Sequence, residues 1–258
     1  MRKVLLPVRP IAQNPAECGP ACVKSILDAM LPRSVSLSQL EREISPAGAN
    51  KGREWDFRIA LAALKRGVPA TVLTHETLLF DPAWFRLDRG LLIGKLDASA
   101  KALTNELESL AKARKSAVNA DVDWFTLDRI NGVKEAANFL RNGGSIEFLH
   151  PKARFSGVSP RLLKHQLRLG RPVIVPIDTS RFYGRPRRDS LMSTTHNDLT
   201  GWPWGHIIAV RGFDRTRFHV ADPGHGTTYP VSQEHLVGSI RYPQVIAIGT
   251  AKRRRRAR

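Results

Sequence analysis

Cysteine is scarce in this 258-residue chain: there are two, Cys18 and Cys22. They stand four residues apart in a stretch that reads as a helix, and a disulfide between them would need non-helical geometry. Both are therefore expected as reduced thiols in a reducing compartment. Long hydrophobic runs are also missing. No apolar stretch approaches the roughly 20 residues that cross a bilayer. The run at Val4, Leu5 and Leu6 is too short for the apolar region of a signal peptide and is interrupted by Pro7 and Pro10. The expectation is a cytoplasmic protein with no transmembrane segment. Acidic residues are few, 23 against 41 Lys and Arg, for a net charge of +18. Zinc-finger spacing is absent, and so is the interleaving of aromatic and basic residues that stacks RNA bases.

What is present suits a globular protein. A hydrophobic content of 42% in 258 residues supports one large core. The expected organisation is a single domain over residues 1–250 and a tail over 251–258. Six basic residues lie between Lys252 and Arg258, and without them the body still carries +12. The tail reads as a solvated basic run. It can touch nucleic acid or an anionic membrane surface, or it can be a surface tail with no dedicated partner. The charge of the body suits an acidic peptide.

The helical periodicity comes first along the chain. Residues 18–30 place Cys22, Ile26, Leu27 and Met30 on one face. Ser36 reads as the N-cap of a short helix to Ile44, with Leu37, Leu40 and Ile44 inward. A Gly/Pro/Asn-rich loop over 45–52 leads to a helix over 55–66 that stops at Gly67. Ala70–Thr74 reads as a strand. Residues from about 75 to 145 read as a helical insertion, with a stripe of Leu103, Leu107 and Leu110 over 98–118 and a second helix over 133–141. The insertion fits either a lid over the body or a filler of one side of the core. Strands are predicted over 145–150, 172–178, 206–214, 217–221, 227–231 and 244–249. Ser159 caps a helix over 160–169. The polar stretch 181–204 is too long for a simple connection, and such loops are often functional. Helices followed by a meandering antiparallel sheet give an α+β fold, an N-terminal helical lobe packed on an antiparallel β-sheet.

Chemistry concentrates at two places. Cys18 falls at a helix start, where free backbone N–H groups and the helix dipole favour a thiolate. Gln13, five residues upstream, can fold back and offer an amide N–H to a developing oxyanion. In the second half, His206 opens one strand and Asp222 closes the next. In a hairpin these positions lie at the same end of the sheet. A carboxylate there can fix the tautomer of an imidazole that moves a proton. Cys18, His206 and Asp222 are the candidate catalytic residues, and Gln13 the candidate oxyanion-hole residue. Trp202 and Trp204, just before His206, are candidates for the wall of a substrate cleft, or for packing of their own loop.

The segment from Gln13 through Cys18-Gly19-Pro20-Ala21, the strand Gly205–Asp214 and the ending Val220-Ala221-Asp222-Pro223 resemble the bacteriocin-processing (double-glycine) cysteine peptidases. This is the thirty-ninth cysteine peptidase family, with its stand-alone relatives, within the papain-like enzymes. The helices at 36–44 and 55–66 and the segment Leu167–Pro176 share the resemblance, which leaves out about 75–145 and the tail. It implies a papain-like fold with Cys18 as nucleophile, His206 as its proton partner and Asp222 orienting the imidazole. Gln13 and the backbone N–H of Cys18 would form the oxyanion hole, Cys22 would be structural, and no cofactor would be needed. The substrate would be a peptide or protein cut after small residues such as Gly-Gly. The processing members of that family are fused to a membrane transporter, and this chain carries neither its transmembrane helices nor its nucleotide-binding motif.

Other classes remain open from the residues. The same thioester can pass its acyl group to an amine or thiol, as in the papain-related phytochelatin synthases, whose active-site segment also looks like this one. A catalytically inactive relative would bind peptides without cutting them, although all four positions are filled here. A metal or redox site would draw on Cys18, Cys22, His219 and His225, but no second Cys/His pair with suitable spacing follows the cysteines. No metal is expected.

Overall fold

The runs at 172–178 and 206–213 lack the polar alternation of a strand with one wet face, and such strands are usually covered on both sides. The computed structural model bears this out. It describes residues 3–14, 17–46, 54–113, 120–149, 158–187 and 205–250, and side chains among these except at 54–55, 111–113 and 120–124. Trp202, Trp204, most of the predicted loop over 181–204 and the tail 251–258 lie outside the described residues.

Among the described residues, eight strands form one sheet: β1 (Val4–Leu5), β2 (Ala70–Thr74), β3 (Ser145–Phe148), β4 (Val173–Asp178), β5 (Gly205–Phe213), β6 (Arg217–Asp222), β7 (Thr227–Ser232) and β8 (Gln244–Ile248). The order is β3-β2-β8-β4-β5-β6-β7, with β1 pairing β5 off this path. Alternate residues feed two cores. Val72, Ile174, Ile207, Ala209 and Ile246 join the cluster built on α1 (Cys18–Met30), α2 (Leu37–Ile44) and α3 (Glu54–Leu64). Val173, Val175, Ile208, Val210 and Val245 join the cluster built on α6 (Pro160–Arg168), α7 (Thr179–Tyr183) and α8 (Gln233–Gly238). The fold is α+β with a mostly antiparallel sheet, as expected. The N-terminal helices pack on one face of the sheet, and because the apolar central strands bury both faces, α6, α7 and α8 cover the second.

The stretch from 75 to 145 has a topological task. β2 and β3 run parallel, and parallel neighbours need a crossover that a tight turn cannot supply. The crossover is α4 (Arg89–Ala113) and α5 (Ala120–Arg141), preceded by a 3₁₀ turn at Pro82–Arg86. Leu92, Leu96, Leu103, Ile130, Val133 and Phe139 are buried in the same core as Ile26 and Leu27. Arg58 on α3 pairs with Glu135 on α5 at 3.1 Å. These contacts make the pair a wall of that core.

Local signals set the helix starts. Ser36 Oγ accepts from Gln39 N at 3.4 Å, and Ser159 Oγ accepts from Leu162 N at 3.2 Å. The short strand β1 had no readable sequence pattern. It docks at a bulge between Val210 and Gly212, where a Cβ on Gly212 would lie 2.4 Å from the Val4 carbonyl oxygen. Arg211 holds the strap from both sides: its carbonyl accepts from Leu6 N at 2.8 Å, and its Nε donates to Leu6 O at 3.0 Å.

Candidate active site

α1 begins at Cys18 itself. Glu17 occupies the N-cap position but its side chain makes no capping hydrogen bond, so the positive end of the helix is left to the residues around Cys18. Cys18 is 6% exposed. One turn further on, the Cys22 thiol donates to the Ile207 carbonyl at 3.4 Å, which fastens α1 to β5 beside His206. Burial pushes the Cys22 thiol well up, and the neighbouring Cys18 and Asp222 charges add to it. Cys22 is therefore a protonated fastener. The loop before Cys18 is tied down at Ile11, Gln13 and Asn14. Ile11 N donates to Ser25 Oγ at 3.2 Å, Gln13 N to the Pro223 carbonyl at 3.2 Å, and Asn14 Nδ2 to Glu41 Oε1 at 2.6 Å.

The β5–β6 register, with Ala209 opposite Ala221, brings the end of β6 alongside the start of β5. His206 Nε2 and Asp222 Oδ1 are 2.9 Å apart. With Nε2 engaged by the carboxylate, Nδ1 is the nitrogen left for the thiol. Burial works against a charged His206, but its hydrogen bonds to Asp222 and Cys18 prevail and raise its pKa from 6.5 to about 9. The hairpin thus unites His206 and Asp222 and sets them against the first residue of α1. Such a trio can take the proton from sulfur onto the imidazole and hold the resulting cation against a carboxylate.

Asp222 is fully buried, a costly place for a carboxylate unless it is well paired. It accepts five hydrogen bonds. Oδ1 takes His206 and Gly224 N, each at 2.9 Å. Oδ2 takes the Tyr183 hydroxyl at 2.6 Å, the Tyr229 hydroxyl and His225 Nδ1 at 3.0 Å. Burial pushes the carboxyl pKa up, but His206, Tyr183, Tyr229 and His225 together hold it far below the usual carboxylate range. Gly224 sits under the pair, where a Cβ would lie 3.2 Å from the His206 ring. Sequence reasoning missed Tyr183 and Tyr229, and named His225 only for a metal or redox site. His225 follows Asp222 in an ordinary turn, and Tyr183 is 39 residues away, joined to it only by the fold.

Gln13 lies beside this end of the sheet through its backbone bond to Pro223. Its Oε1 is buried with no hydrogen-bond partner among the described residues; the donor an oxyanion would need is the Nε2 of the same amide. Trp202 and Trp204, the candidate cleft walls, lie outside the described residues. His219 is not part of the cluster and faces Asp214 at 3.3 Å. No helix among the described residues is long and apolar enough to cross a membrane.

The class defined by fold and side chains is an α+β sheet protein with a buried Cys-His-Asp constellation at a helix start. Among solved structures, the chain is similar to one described as a C39-like peptidase from Bacillus anthracis, at 13% identity and a TM-score of 0.48, over 98% of this chain and 100% of that one. It is also similar to the peptidase domain of Streptococcus ComA, a bifunctional ABC transporter of a quorum-sensing pathway, at 12% identity and a TM-score of 0.41, over 94% and 98%. No family model and no curated protein matches the chain. Similarities of this size leave the functional reading to the side chains themselves.

Proposed function

We propose that this protein is a cysteine peptidase that cleaves a peptide or peptide-like amide through a thioester on Cys18. The observation that carries the reading is the His206–Asp222 pair, 2.9 Å apart and buried, set against a cysteine that opens a helix. In this reading the Cys18 sulfur gives its proton to His206 Nδ1 and attacks the carbonyl carbon. The Gln13 amide and the Cys18 backbone N–H hold the oxyanion. His206 then protonates the leaving amine, and the C–N bond breaks to leave the thioester. Water, losing its proton to His206, attacks the thioester and releases the carboxylic acid and the Cys18 thiol. Asp222 keeps the imidazole in the tautomer that presents Nδ1 to sulfur. The resemblance to double-glycine peptidases adds the preference for small residues before the cut.

The test is cleavage of a peptide mixture that includes Gly-Gly sequences, with products identified by mass. Hydrolysed acids are expected from the wild type and none from Cys18→Ala or His206→Ala. Intact peptides with the wild type, or cleavage that persists in Cys18→Ala, would overturn the reading.

A further inference from the structure

We propose that Tyr183 and Tyr229 are positioning residues, which clamp Oδ2 of Asp222 from outside so that Oδ1 is held on His206. The inference rests on the peptidase reading for its meaning in catalysis, and on geometry alone for its effect on His206. A carboxylate at the end of a strand can rotate about its last bond and exchange its oxygens. Here the rotation is blocked. Both phenols donate to the same oxygen, from α7 on one side and β7 on the other, while Gly224 N and His206 share the opposite oxygen.

The phenols are suited to the task. Burial and the bond to Asp222 push both hydroxyl pKa values upward, so each remains a donor at any working pH. The Tyr183 ring also has aromatic neighbours. Tyr183 meets Phe182 at 5.0 Å and His225 at 5.0 Å, both edge-on. The third donor is less anchored, since His225 is exposed on its outer side. Arg185 Nη2, which can only donate, sits 3.1 Å from His225 Nε2. That contact leaves the His225 proton on Nδ1, directed at Asp222. Both tyrosines and His225 also line an open groove of about 710 Å³ on the outer side of Asp222. A substrate contact is therefore the rival role.

The test compares wild type, Tyr183→Phe, Tyr229→Phe and the double variant. The phenylalanines keep the rings and remove only the donors. Among the described residues, the charged and titratable groups facing the clamp are Asp222, His206, His225, Arg185 and His235 of α8, with Cys18 and Cys22 from α1. The first readout is the His206 titration by NMR with labelled histidine, assigned with His206→Ala. In the double variant it is expected to fall from about 9 toward 6.5, because the imidazole loses its fixed carboxylate. Each single variant should move the same way by less. The second readout is peptide cleavage, where kcat should fall at least tenfold in the double variant while KM stays within about twofold. An unmoved His206 titration with only a lowered melting temperature would overturn the inference. So would a raised KM at unchanged kcat, which would make the tyrosines part of a substrate wall. The NMR readout needs no turnover, so failure of the clamp and failure of the peptidase reading are separable.

Discussion

At the scale of single residues, the two cysteines are a matched pair with opposite environments. Cys18 faces an imidazole at a helix start, and Cys22 donates to a backbone carbonyl in the core. With iodoacetamide, Cys18 is expected to be alkylated in the folded protein, while Cys22, whose thiol burial pushes well up, stays inert until the protein unfolds. In His206→Ala the reaction at Cys18 should slow several-fold, because the imidazole that takes its proton is gone. Equal labelling of both cysteines in the folded protein would contradict this. His206 also links stability to pH. Its pKa is raised on folding from 6.5 to about 9, so its contribution is complete below 6.5 and is lost as pH rises to 9. At roughly 1.4 kcal/mol for each tenfold change in proton affinity, this rise corresponds to about 3.5 kcal/mol. Thermal melts should therefore show wild type losing more stability than His206→Gln between pH 6.5 and 9. Parallel curves would remove His206 as the cause.

At the scale of elements, Gly212 and β1 give the sharpest expectation. A Cβ at Gly212 would lie 2.4 Å from a backbone oxygen of Val4 and 3.0 Å from Leu5, and backbone cannot swing away as a side-chain tip can. Gly212→Ala should cost about 1–3 kcal/mol and raise amide exchange at Leu6, whose N–H bonds to Arg211. Unchanged protection there would show that the strap tolerates the methyl group. The same strap marks where sequence reading stops. Strands with long apolar runs and helices with a cap and a stripe were legible: Ala70–Thr74 is β2, and Ser159 caps α6. A two-residue strand carries no period, and its partner lies about 200 positions away. α7 and α8 are too short to show a stripe. The helical insertion was legible as helices, but its role as a crossover follows from β2 and β3 being parallel, which only pairing reveals. In the candidate site, Cys18 and Asp222 stand at element ends and His206 next to one, which is what made them candidates in the sequence. The tyrosines around Asp222 sit within ordinary aromatic surroundings and had no such signal.

At the scale of the whole molecule, charge is the dominant feature. The chain carries +18 at pH 7 and its body +12 without the last seven residues. A field of that size raises the local concentration of anions and speeds their encounter. Part of it stands near the site. Arg185 contacts His225, and Arg241 lies over the start of β5, with its Nη1 2.8 Å from where a Cβ of Gly205 would be. Acidic peptides should therefore be cleaved with several-fold higher kcat/KM than otherwise identical basic ones at low ionic strength. The advantage should vanish near 1 M salt, where the screening length shrinks to about 3 Å. A form ending at Ala251 separates the two sources of charge. If the body does the steering, truncation leaves most of the preference and its salt dependence in place, because only six of the basic residues are removed. If the preference collapses, the tail is the collector and the arginines beside His206 are bystanders. Equal rates for acidic and basic peptides at low salt would show that the positive field does not reach the cleavage step.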